Sequence, residues 1–154
     1  MVTILLGDGF EEAEALVPAD LLRRAGVDVT LVGLDGLRVT GGHGITVCAD
    51  RSLEELDPDG VEMLVLPGGM GGVESIQMNL FALALIQRCR DHGCWLAAIC
   101  AAPTILAHLG ILDRRRAVCY PGMEEEMGSA VVQKGARAVS YTHLRAHETV
   151  LDLV

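Results

Sequence analysis

Aromatic side chains are scarce, at 3% of 154 residues, so the chain has no set of stacking platforms for nucleic-acid bases. Basic side chains are in deficit as well: 12 Lys and Arg stand against 21 Asp and Glu, a formal net charge of -9. That balance repels phosphate backbones, and no basic stripe offsets it, which argues against a nucleic-acid partner. Long apolar runs are missing too. Stretches such as VTILL and WLAAICAAP fall well short of the roughly 20 residues a membrane-spanning helix needs. The start MVTILLGDGF has neither the basic opening nor the cleavage site of a secretory signal, so a cytoplasmic protein with no membrane partner is expected. The cysteines, at 48, 89, 94, 100 and 119, are odd in number and show no Cys-x-x-Cys or Cys/His spacing suited to zinc; reduced thiols are expected.

What is present is a chain 51% hydrophobic, enough for one well-buried domain and too short for two. Runs rich in Val, Ile and Leu recur with helical segments between them, the appearance of buried parallel strands. The predicted strands are 2–6, 28–34, 62–67, 95–99 and 117–120, with LRVT and GITVC around GGHG as a small hairpin. Helices are predicted at 10–25, 74–91, interrupted near Asn79, and 101–109. The alternation predicts a doubly wound α/β sheet with helices on both faces.

The first crossover, GDGFEEAEALVP, crowds Asp8, Glu11, Glu12 and Glu14 into a turn that in such folds is a favoured ligand site. Val17, Leu21, Leu22 and Ala25 follow helical spacing, and Glu14 lies on their stripe, so it is expected to point inward. Glu12 falls off that stripe, Glu11 suits the positive end of the helix dipole, and Asp8 suits its turn. A nucleotide-binding reading of GDGFEE is weak, because it lacks the third glycine and would meet phosphate with carboxylates.

In CWLAAICAAPTILAHLG a buried strand runs straight into a helix with Cys100 at the junction. The logic is that of a nucleophile elbow, a strained turn that presents one reactive side chain above the sheet. The helix dipole is expected to lower the thiol's pKa, and Pro103 fits the helix's first turn. At the end of the preceding strand, LPGGMGG places Gly68, Gly69, Gly71 and Gly72, whose open backbone N–H groups are suited to an oxyanion. Cys89 and Cys94, Cys48 and Cys119, His92 and His108 all have plain packing or capping explanations, and GMEEEMG reads as a solvated turn.

Three segments, FEEAEALVPADLLRRAGVDVT, LVLPGG and AAICAAPTILA, resemble the ThiJ/PfpI superfamily in order and spacing, from residue 1 to about 139, in the branch containing the parkinsonism-associated deglycase. The resemblance implies a flavodoxin-like fold and a cofactor-independent enzyme with Cys100 as nucleophile. A buried glutamate, here Glu14, would hydrogen-bond its sulfur, and the N–H groups of Gly69 and Ala101 would form the oxyanion site. Such a glutamate beside a thiolate is pushed toward its protonated form and can donate. Gly68 and Tyr120 are possible pocket residues. The resemblance further implies a homodimer and a small dicarbonyl or glycated adduct as substrate; an oxidisable Cys100 in a redox-sensing or holdase protein is the alternative.

Two departures stand out. Peptidase-like and glutamine-amidotransferase-like relatives place His directly after the cysteine, where this chain has Ala101, which disfavours triad-type amide hydrolysis. The deglycase branch often sets a His near the site from the next strand; here VCYPG offers Tyr120, a poor base near neutral pH. The ending VSYTHLRAHETVLDLV matches no closing strand and helix of the family, and residues 140–154 are read as a foreign tail. His143, His147 and Glu148 imitate a helical metal site without a third ligand in context, so no metal is assigned.

Overall fold

The structure is a computed structural model that describes residues 1–139; the expected tail and its His143, His147 and Glu148 lie outside the described residues. In chain order the elements are β1 (Val2–Leu6), α1 (Glu12–Arg24), β2 (Val29–Gly33), β3 (Arg38–Thr40), β4 (Thr46–Cys48) and β5 (Arg51–Ser52). There follow β6 (Met63–Leu66), α2 (Met70–Met78), α3 (Leu80–Asp91), β7 (Trp95–Ala98), α4 (Pro103–His108), β8 (Arg116–Ala117) and β9 (Val131–Val132).

Five strands form one parallel sheet in the order β5-β2-β1-β6-β7. β1 is central because it is apolar on both faces: Ile4 and Leu6 pack toward α1, while Leu5 packs toward α3 and α4. All three are fully buried, and each contributes about 1.5–3 kcal/mol relative to exposure. The result is the flavodoxin-like doubly wound α/β fold, with a core on each face of the sheet. The chain leaves β1 toward β2 and β5, then returns to β6 on the other side. This reversal is a topological switch point, so the carboxyl ends of β1 and β6 flank the crevice where ligands bind in open sheets.

The expected strand at 117–120 is corrected. Only Arg116–Ala117 is extended, and it pairs in parallel with β9 in a separate two-stranded sheet. Val118 and Cys119 are half-buried without joining a ladder, and Cys119 packs against the core. The fifth strand of the main sheet is instead β5, paired with β2 through Val32 and Gly33. The expected hairpin is present as the antiparallel pair β3 and β4. The expected helix break at Asn79 is also present: its side chain accepts from the N–H groups of Phe81 and Ala82, both at 3.0 Å, and so caps α3. GMEEEMG is a 3-10 turn over Glu124–Met127 whose flanking Met123 and Met127 are buried in the core, so it is anchored more firmly than a solvated turn.

Candidate active site

Helix α1 places the acids differently from the pattern of large apolar residues. Its buried positions are Glu12, Ala15 and Ala19, whereas Val17 and Leu21 are 54% and 60% exposed. The helix is rolled so that small alanines meet the sheet, allowing close approach. Glu12, expected at the surface, is 6% exposed. Its Oε1 accepts from the His43 N–H at 2.8 Å and its Oε2 lies 2.9 Å from His43 Nδ1. The β3–β4 turn is thereby clamped onto the helix. The hydrogen bond from His43 holds the Glu12 carboxyl at about 2, against the opposing effect of burial, and the Glu12 bond together with the charge of Glu11 raises the His43 imidazole. Neither role was visible from helix periodicity, since the partner lies 31 residues along the chain. Asp8 reinforces the same junction by accepting from the Thr40 N–H at 2.8 Å.

Glu14 is half-buried and faces the end of β6, where its Oε2 accepts from the Gly68 N–H at 2.8 Å. The loops after β1 and β6 are joined backbone to backbone, with Glu11 N–H donating to the Gly68 carbonyl at 3.0 Å. A Cβ on Gly68 would lie 2.6 Å from Glu14 Oε2, 2.6 Å from Cys100 Cβ and 3.0 Å from Cys100 Sγ. Only glycine fits between the acid and the thiol.

Cys100 follows β7 with φ at 61°. This left-handed conformation in a residue other than glycine is strained by about 1–3 kcal/mol and marks the turn as a genuine elbow. Neighbouring groups hold it there. The Tyr120 N–H donates to the Cys100 carbonyl at 2.7 Å, and the fully buried Thr104 hydroxyl donates to the Ala101 carbonyl at 2.7 Å. Thr104 is a supporting residue that its place inside an apolar helix run concealed.

The backbone N–H groups of Gly69 and Ala101 act on the Cys100 thiol in the direction that favours its thiolate. Burial and the adjacent Glu14 charge outweigh them and push the Cys100 thiol up, which corrects the expectation that the helix dipole lowers it. The physical reason is that burial, and next the charge of Glu14, disfavour a thiolate at this position. Tyr120 is placed beside the elbow by its main chain, with a side chain 55% exposed. The structure thus brings together Glu14, Gly68, Gly69, Cys100 and Ala101, with Tyr120 at the margin.

A separate groove of about 840 Å³, lined by residues including Leu34, Leu37, Leu53, Asn79 and Phe81, contains none of these groups, so volume alone does not locate the chemistry. Among the described residues, Glu11, Glu12 and His43 bring three potential metal-ligating atoms within 4.8 Å of one another. Glu12 is already committed to the hairpin, and the group acts as a clamp. Among the described residues no helix is long and apolar enough to cross a membrane.

A doubly wound sheet that sets a strained cysteine opposite a helix-borne glutamate, across a glycine loop at the switch point, defines a flavodoxin-like α/β protein with a nucleophile elbow. The family model described as DJ-1/PfpI family matches residues 1–150, and the chain belongs to that family. It is 36% identical over 125 residues to the protein dj-1beta of Drosophila melanogaster, covering 80% of this chain and 67% of that one. It is 37% identical over 131 residues to a deglycase of Pyrococcus abyssi, covering 85% and 78%. The crystal structure of a cysteine-to-alanine mutant of a DJ-1 superfamily protein from Salmonella typhimurium superposes with a TM-score of 0.86 at 32% identity, covering 92% of this chain and 77% of that one.

Proposed function

We propose that the protein is a cofactor-independent, cysteine-dependent glyoxalase or deglycase whose substrates are methylglyoxal, glyoxal or the early glycation adducts they form. The observation that carries this reading is Cys100 at φ 61° with Glu14 across Gly68. The deglycase name of the Pyrococcus abyssi relative supports it.

In the proposed reaction the Cys100 sulfur adds to the aldehyde carbon of methylglyoxal, and the carbonyl oxygen takes up a proton to give a hemithioacetal. The N–H groups of Gly69 and Ala101 stabilise the oxygen as charge develops on it. Glu14 then removes the proton from the former aldehyde carbon and returns it to the neighbouring carbon, while the hydroxyl proton passes to the neighbouring carbonyl oxygen, converting the hemithioacetal into a thioester of lactate. Water cleaves the thioester, releasing lactate and the free thiol. Ala101 in place of a histidine leaves Glu14 as the proton carrier, and Tyr120 borders the substrate without acting as base. The reading assigns the chemistry to residues 1–139, in a cytoplasmic setting that keeps the five free cysteines reduced.

The same donors would also hold the oxygens of an oxidised Cys100, and one related solved structure is that of an oxidized DJ-1 from Toxoplasma gondii. A redox-sensing or holdase role is therefore the alternative. The deciding experiment is lactate formation from methylglyoxal without glutathione, by the parent and by Cys100→Ser, with circular dichroism confirming both folds. Activity in the parent alone supports the enzyme. A folded, inactive parent whose Cys100 is oxidised stoichiometrically by low peroxide favours the sensor.

The proposal includes a homodimer, supported by the exposed apolar stripe of Val17 and Leu21 on α1. Val17→Glu places a charge on that stripe and should convert the assembly to monomer in size-exclusion chromatography with light scattering. An unchanged elution mass would remove α1 from the interface.

A further inference from the structure

Cys89 and Cys94 were expected to be ordinary thiols at a helix end, yet the way α3 terminates gives them a specific relation. The Cys94 N–H donates to the Cys89 carbonyl at 2.9 Å and the Gly93 N–H donates to the Arg90 carbonyl at 3.2 Å. Gly93, at φ 74°, supplies the left-handed residue between them. This is a Schellman closure, in which the residues three before and two after the helix cap fold back so that their side chains meet. Here both of those residues are cysteines.

The two thiols differ in access. Cys89 is 1% exposed, and burial, followed by the neighbouring Cys94, pushes it up to about 12. Cys94 is half-buried, and its Sγ donates to the Val61 carbonyl at 3.0 Å. The six-to-one hydrogen bond draws the two residues together at the helix end, and a disulfide between them requires Cα atoms about 4.4–6.8 Å apart.

We propose that Cys89 and Cys94 form a reversible dithiol–disulfide site, oxidised by a peroxide, separate from Cys100. The Cys94 thiolate attacks one peroxide oxygen; an S–O bond forms, the O–O bond breaks, and the departing oxygen leaves as water after taking a proton. The Cys89 sulfur then attacks the Cys94 sulfur, forming the S–S bond and breaking S–O, and the Cys89 proton leaves with the hydroxyl as a second water. Two thiols lose two electrons and the peroxide gains them. Burial makes Cys89 the resolving thiol, shielded from direct attack, and a thiol reductant restores the pair by exchange. The bond ties the end of α3 to the start of β7, the strand that carries Cys100 just beyond its other end.

The test treats the reduced full chain with stoichiometric hydrogen peroxide, blocks free thiols with iodoacetamide under denaturing conditions and digests with trypsin. Cleavage after Arg88, Arg90 and Arg114 puts Cys89 in peptide 89–90 and Cys94 in peptide 91–114. The two peptides are expected to remain joined until reductant is added, in the parent and in Cys100→Ser, and to separate in Cys94→Ser. Recovery of peptide 89–90 carrying the alkyl group from the treated parent would overturn the proposal, as would a joined pair that persists in Cys94→Ser.

Discussion

At the scale of single residues, the site depends on a missing methyl group. Gly68 lets the Glu14 carboxylate and the Cys100 sulfur share one small space, and its own N–H orients the acid. Gly68→Ala should therefore abolish methylglyoxal turnover and destabilise the fold by about 1–3 kcal/mol, as overpacked cores do; denaturant melts and activity measured together would check it. Glu14 is also a cause of the elevated Cys100 pKa, second to burial. Glu14→Gln removes the charge and keeps the shape. The pH profile of Cys100 alkylation, read by peptide mass, should move to lower pH, while turnover falls about 10²–10⁴-fold through loss of the proton carrier. An unmoved profile would separate Glu14 from the sulfur. Cys100 was legible in the sequence from the strand-to-helix junction and Glu14 from the family resemblance; the apolar stripe that pointed to Glu14 is itself exposed at Val17 and Leu21. The elevated thiol was not, since it arises from burial and a neighbour 86 positions away.

Among elements, α1 shows where pattern reading succeeds and where it stops. The boundaries of β1, β2, β6 and β7 follow from their apolar runs to within a residue; for β1, β2 and β6 this is because an interior parallel strand must be apolar on both faces. The roll of α1 does not follow. Ranking by hydrophobic size selects Val17 and Leu21, whereas the sheet accepts Ala15 and Ala19 because small residues let the helix sit closer. Glu12 goes inward with them because the β3–β4 turn supplies donors that no local signal announces. β5 was invisible as well, being an Arg-Ser pair whose extension is set by β2 alone. The Glu12–His43 clamp has a signature in pH. Glu12, held at about 2 from its usual 4.5, stabilises the fold fully above the unfolded value and loses that contribution as pH falls through the folded one. His43, raised above 6.5, stabilises fully below that value and loses its contribution as pH climbs through the raised one. The Tm difference between the parent and His43→Ala should therefore be greatest between pH 4.5 and 6.5 and shrink on either side. A difference independent of pH would mean that the imidazole contributes packing alone.

For the whole molecule, the sheet order puts the first segment of the chain in the middle and draws the site from three distant stretches, near residues 14, 68 and 100. Apolar side chains remain outside on several elements, including Val17, Leu21, Trp95 and Ile99, each more than half exposed. The central position of β1 has a consequence for how the protein is made. On a ribosome β1 can dock with β2 as soon as α1 has formed, but its other edge stays open until β6 emerges about thirty residues later, roughly 2–6 s at ordinary elongation rates. During that interval the central strand presents unpaired N–H and C=O groups to every neighbouring nascent chain. The elbow cysteine appears only after that edge is closed, so Cys100 is added to a sheet whose centre already holds Glu14 in place.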